Sequence, residues 1–215
     1  MGRLAPTSGE VRLASGHSPG ASQMNVTEVP RDEIFLLFTL QEVAAAMRAL
    51  DEVERLAAVR IQRAPHITVR EGANIYAAIR FALHLAGSVS RVFWPPRNKT
   101  RGEHMRQLLG LPDNHGLKDR RLRDHIEHMD ERLDTWTAQS PRPYTGIDFV
   151  FHDDFPDLAR EAVINSTVVI YDEVRRQVSV LGETFDLAAL RLDLLDVRER
   201  TSTAFRALYP GDAGK

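Results

Sequence analysis

Apolar residues recur at three- and four-residue steps through most of the first 140 positions, then give way to short runs of a different period. Over 32–58, Ile34, Leu37, Phe38, Val43, Met47, Leu50, Val53 and Leu56 follow the period of an amphipathic helix. A second helix fits 73–92, with Ile75, Ile79, Ala82, Leu83 and Ala86 as its inner stripe. Pro95-Pro96 end it, because proline lacks the amide hydrogen and bars the helical conformation before it. A shorter helix fits 101–109 and is closed by Pro112. The fourth, over 117–136, carries Leu122, Ile126, Met129, Leu133 and Trp136 as a single narrow seam, and every other residue from 118 onward is polar or charged.

Pro141 and Pro143 mark a boundary, after which 147–151 reads as a strand. Residues 168–171 and 177–181 read as the arms of a hairpin, and an amphipathic helix runs over 187–208. The predicted fold class is mainly α: an up-and-down four-helix bundle over 24–140, then a small β-hairpin-plus-helix subdomain over 141–215. Residues 1–23 are rich in Gly, Ser, Ala and Pro, have no periodicity, and are expected to be a disordered leader ahead of Met24.

Composition narrows the function classes. The 215 residues are 43% apolar and 27% charged, the balance of a globular protein with a real core. A net charge of −2 argues against a generally basic nucleic-acid coat. With no cysteine there is no disulfide scaffold, thiolate metal site or cysteine nucleophile. No apolar run approaches the ~18 residues of a membrane span, and no secretory signal is evident, so a cytoplasmic protein is expected. Phosphate loops, dinucleotide turns, nucleophile elbows, zinc helices and paired Glu-x-x-His helices are all absent. No cofactor or metal is expected.

Charge is distributed unevenly. Between Arg97 and Arg123 lie eight basic side chains against three acidic ones, enough to attract phosphate locally in a chain whose total is negative. On the fourth helix the run from Leu122 to Asp134 spends only Leu122, Ile126, Met129 and Leu133 on packing. The remainder is expected to place two imidazoles with arginines and carboxylates on the outer surface. Asp124 and His128 are i, i+4 neighbours about 40° apart, and Arg121 and His128 about 20° apart, around the helix axis. Arg123 lies farther round and reaches His128 only through its long side chain. A histidine with an acid at i−4 and arginines nearby suits proton transfer beside a bound phosphate: imidazole titrates near neutrality, and guanidinium stabilises charge on phosphorus.

Arg123-Asp124-x-x-x-His128 resembles the R-x(4–6)-H motif of the HEPN superfamily, whose members often carry Asn, Asp or His after the arginine. The resemblance implies a small, frequently dimeric helical bundle and a metal-independent ribonuclease, toxin or RNA-processing factor. It implies His128 as general acid or base, Arg123 on the scissile phosphate, Asp124 orienting the pair, and two copies of the motif across a dimer cleft. Arg120, Arg121 and His125 are then the supporting substrate-binding residues. RNA, a second copy of the chain and an antitoxin or other protein are the expected partners. Arg12/His17, Arg120/His125 and Arg97-Asn98/His104 also fit the spacing; Arg123/His128 is preferred because it sits on a strongly periodic helix beside an apolar seam.

Other readings stay open. His125 and His128 have the spacing of metal ligands, with Asp124 or Glu127 assisting, though no third ligand is assignable. The charged helix is equally a surface for a non-catalytic module that dimerises or docks a partner. Trp94 suits a stacking platform or, more simply, the core, and Tyr144 is a similar case. His66 and His84 are expected as satisfied core histidines, and His104 as a neighbour of the basic segment.

Overall fold

A computed structural model describes residues 31–63, 69–139, 146–151 and 156–208. The expectations for residues 1–23, His66, Tyr144 and the boundary at 140/141 lie outside the described residues. The protein is mainly helical with a small sheet. In chain order it runs α1 (Arg31–Arg63), α2 (Val69–Phe93), α3 (Lys99–Leu109), a 3-10 turn (Gly116–Lys118), α4 (Arg121–Glu127) and α5 (Met129–Ala138). Then follow β1 (Gly146–Phe151), α6 (Asp157–Ser166), β2 (Thr167–Asp172), β3 (Gln177–Val180), β4 (Glu183–Asp186) and α7 (Leu187–Leu208). Among the described residues no helix is long and apolar enough to cross a membrane.

α1 and α2 pack along their lengths as an antiparallel pair. The start of α1 meets the end of α2 in a cluster holding Leu36, Val43, Ala46 and Leu50 with Ala82, Val89 and Phe93, and α7 adds Leu194 and Val197. The other end joins Val53 and Ala57 to Ile75, Ile79 and Leu83, closed by Ile126 of α4 and by Val169, Tyr171, Val178 and Val180 of the sheet. Both clusters draw on residues from either side of position 140. Arg191 of α7 reaches back to Asp51 at 2.7 Å and Glu54 at 3.2 Å on α1.

The stretch expected as one helix over 117–136 is instead a 3-10 turn and two helices. The first interruption has a local cause: the Asp119 carboxylate accepts the Arg121 N–H at 3.0 Å, and short acidic side chains compete in this way with helical hydrogen bonds. His128 interrupts it again with φ −112° and ψ 37°. Backbone bonds His128 N→Asp124 O (3.1 Å) and Arg132 N→His128 O (3.2 Å) persist, so α4 and α5 meet in a kink rather than a gap.

The sheet is four-stranded, in the order β1-β2-β3-β4. β2 and β3 pair antiparallel, Val169 opposite Val180. Two elements lie outside the expected strand-and-hairpin pattern. β1 lies parallel to β2, which demands a crossover, and the ten-residue α6 supplies it. β4 adds to β3 through Leu181-Gly182, both at positive φ (51° and 90°), the geometry of a two-residue type I′ turn. On β2, Val169 and Tyr171 face the helices while Ile170 is 1% exposed on the opposite face, so both faces of this strand are covered. Arg160 of α6 is ion-paired with Asp172 of β2, both buried, tying the crossover to the strand end.

Candidate functional site

α4 is short, and its position is set by Ile126, buried in the second cluster, with Leu122 and Met129 packed against it. Around that anchor the polar residues divide differently from the expectation of a common outer surface. His125 is 4% exposed. Its Nε2 lies 3.0 Å from Glu183 Oε2 on β4, and its ring meets Phe185 edge-on at 5.5 Å. Burial pulls its pKa below the ordinary histidine value against the opposing pull of the Glu183 carboxylate. The outer-surface expectation therefore fails for His125, because β4 folds over that side of α4.

Arg123 also leaves the surface: its side chain is 12% exposed and lies against α2 at Gly87. Its Nε donates to Asp124 Oδ1 at 3.0 Å, its Nη2 donates to the same oxygen, and Glu127 Oε2 stands 3.5 Å from Nε. Nη1 is buried and has no hydrogen-bond partner. The expected Asp124–His128 pairing does not form, because the adjacent guanidinium takes the carboxylate first. Arg121, exposed, is engaged by Asp119 at 2.7 Å rather than turned to His128. The Asp119 carboxyl is held below its usual range by that guanidinium.

His128 stands at the kink, exposed. Among the described residues no hydrogen bond or ion pair joins its side chain to Arg121, Arg123 or Asp124. The structure thus joins Arg123 with Asp124, separates His125 onto the sheet, and leaves His128 open to solvent. His125 and His128 do not converge, and among the described residues no group of three His, Asp or Glu side chains is placed to hold a metal ion.

Arg120 is half-buried at the start of α4. Its Nε donates to Ser90 Oγ at 3.4 Å and its Nη2 to the Trp94 carbonyl. Burial, then the like charges of Arg123 and Arg91, lower its pKa from the usual arginine value, with Asp124 acting the other way. Arg120, Arg121 and Arg123 line a cleft of about 320 Å³ between α2, α4, β4 and the start of α7.

A cluster at the far side of this cleft had no motif to announce it. His115, 8% exposed, places Nε2 3.3 Å from Asp196 Oδ2 and 3.9 Å from Asp193 Oδ1, while its Nδ1 accepts the Leu117 N–H at 3.2 Å. Asp193 is pushed above the usual carboxylate range by burial, with His115 opposing. His115 stacks on Trp94 at 5.9 Å, so one face of that indole is already taken by the protein. The signal available in the sequence was only Asp193 and Asp196 three apart on α7.

His104 does not join the basic segment; its Nε2 lies 2.9 Å from Asp32 Oδ2 on α1. His84 is exposed rather than in the core, because it falls on the side of α2 opposite the buried Ala82 and Ala86. Compared with family models, curated proteins and solved structures, the chain shows no match to any.

Proposed function

We propose that this chain is a HEPN-like RNA-binding protein that cleaves RNA without a metal, through Arg123, Asp124 and His128. The observation that carries the reading is the state of His128: an exposed imidazole with no hydrogen-bond or ion-pair partner among the described residues, held at a kink five residues beyond an arginine fixed by two carboxylates. Asp124 acts on Arg123, clamping the guanidinium that meets the scissile phosphate. The ribose 2′-hydroxyl attacks the adjacent phosphorus, the 5′-oxygen leaves, and a cyclic phosphate end remains. His128 moves the proton, and Arg123 stabilises the charge that builds on the phosphoryl oxygens.

The reading counts α1, α2, α3 and the kinked α4–α5 as the up-and-down bundle of that superfamily, with the hairpin and α7 as additions. It carries with it a cytoplasmic homodimer whose two motifs face one another, and an antitoxin-like protein as a further partner. Arg120 and Arg121 supply phosphate contacts, and His125 supports α4 from within.

The test is cleavage of mixed RNA in the presence of EDTA by the wild type and by His128→Ala. Fragments with cyclic-phosphate ends that vanish in the variant are expected. Cleavage that survives His128→Ala sinks the assignment.

One feature favours a second reading. Arg121, Arg123 and Arg91 are already paired with Asp119, Asp124 and Glu127, as on a helix built to meet a protein through a charge-balanced face. A folded wild type that neither cleaves nor binds RNA moves the function to a non-catalytic module docking a partner through α4 and α5.

A further inference from the structure

We propose that the cleft between α2, α4, β4 and α7 binds a phosphate-bearing ring compound of ribonucleotide size, with Arg120 recognising the phosphate. The argument is one of spent and unspent charge. Of the acids lining the cleft, Asp119 is committed to Arg121 and Asp186 caps α7 by accepting the Ala189 N–H at 2.9 Å. Asp193 has His115 and the Gly116 N–H beside it.

Arg120 is not neutralised in the same way. Both acceptors it reaches, Ser90 Oγ and the Trp94 carbonyl, are uncharged, and among the described residues it forms no ion pair. Arg123 and Arg91 repel it, and the attraction of Asp124, itself hydrogen-bonded to Arg123, opposes them only in part. Arg123 adds a buried Nη1 without a partner, packed over Gly87 in the wall of the same cleft. Arg120, a half-buried guanidinium with no ion pair among the described residues, is completed by a phosphate, whose oxygens match the arginine fork.

Size and lining identify the rest of the ligand. A space of about 320 Å³ far exceeds a bare phosphate and falls at the lower end of small-molecule sites. Leu83, Ala86, Phe185 and Leu190 offer apolar surface for a ring. Arg120, Arg121 and Arg123 line this cleft and His128 does not, so the site adjoins the proposed cleavage chemistry and shares its arginines but not its histidine. The shared chemistry, a nucleoside monophosphate unit, comes either from a free nucleotide or from the phosphorylated end of an RNA strand.

The test is calorimetric titration of the full chain with AMP, GMP, CMP, UMP, adenosine and inorganic phosphate. At least one monophosphate is expected to bind saturably, tenfold or more tighter than inorganic phosphate. Arg120→Gln is expected to weaken it about tenfold or more. Ala189→Glu, an exposed change on the cleft wall, is expected to do the same without disturbing the core. His128→Ala leaves this binding intact even where it abolishes cleavage, so the two proposals fail separately. Competition by a 5′-phosphorylated oligoribonucleotide assigns the ligand to a strand end, and its absence assigns it to the free nucleotide. Binding no tighter than inorganic phosphate, or affinity unchanged in both cleft variants, overturns the proposal.

Discussion

The Nε2 of His125 lies 3.0 Å from Glu183 Oε2, joining α4 to the edge strand β4 across the molecule. A carboxylate only accepts, so Nε2 carries the hydrogen, and the buried Nδ1 is left without a partner. Burial depresses the folded-state pKa of His125, with Glu183 pulling it back up. Above the ordinary histidine value of 6.5 the imidazole is neutral in both folded and unfolded chains, and its contribution is intact. As pH falls below that value the unfolded chain takes up the proton first, so stability is lost until pH passes the lowered folded-state pKa. Urea unfolding between pH 7.5 and 5 should therefore show a declining midpoint. Glu183→Gln removes the opposing charge, and its midpoint should fall more steeply; a flatter profile in the variant would refute the assignment.

Gly87 gives Arg123 its place. A Cβ at position 87 would stand 2.6 Å from Arg123 Cδ, a contact that displaces the arginine while leaving the helix backbone of α2 alone. Alanine is favoured over glycine within a helix by about 1 kcal/mol, so the overall stability of Gly87→Ala should change little. RNA cleavage should nevertheless drop sharply, toward the level of Arg123→Ala. Thermal midpoint and cleavage rate measured together check this, and a fully active Gly87→Ala would remove Arg123 from the site.

Gly116 and Asp193 should behave as a coupled pair. A Cβ at position 116 would stand 1.9 Å from Asp193 Oδ2, which only movement of the turn or of the acid relieves. Gly116→Ala should cost about 1–3 kcal/mol, as overpacked sites do. Asp193→Ala clears the space, so in the double variant most of that cost should disappear. A double-mutant cycle by urea unfolding measures the coupling, and additive losses would show that the contact is not what constrains the turn.

The periodic pattern located the long helices because burial against a single neighbouring layer imposes it. The inner stripe of α2 expected from the sequence, Ile75, Ile79, Ala82, Leu83 and Ala86, is buried throughout. At the start of α1 the periodic positions are Ile34, Leu37 and Phe38, which are 39–56% exposed, while Leu36 and Thr39 are buried completely. Periodicity gives the existence of an apolar face, but the partner decides which side turns inward, and here α7 and the end of α2 decide it. β4 is not legible in the sequence because a four-residue edge strand with Phe185 as its one half-buried side chain has no alternation to display, although Gly182 marks its turn.

The sequence by itself determined the helical character, the chain positions of the long helices and the concentration of cations from Arg97 to Arg123, all properties of neighbours along the chain. Only the tertiary structure decided what those cations and imidazoles face. Whether His125 is buried, whether Arg123 turns to Gly87 or to His128, and whether Arg120 meets an acid depend on residues thirty to sixty positions away. Such contacts leave no period in the sequence, because a side chain's charge balance is set by the surface folded against it.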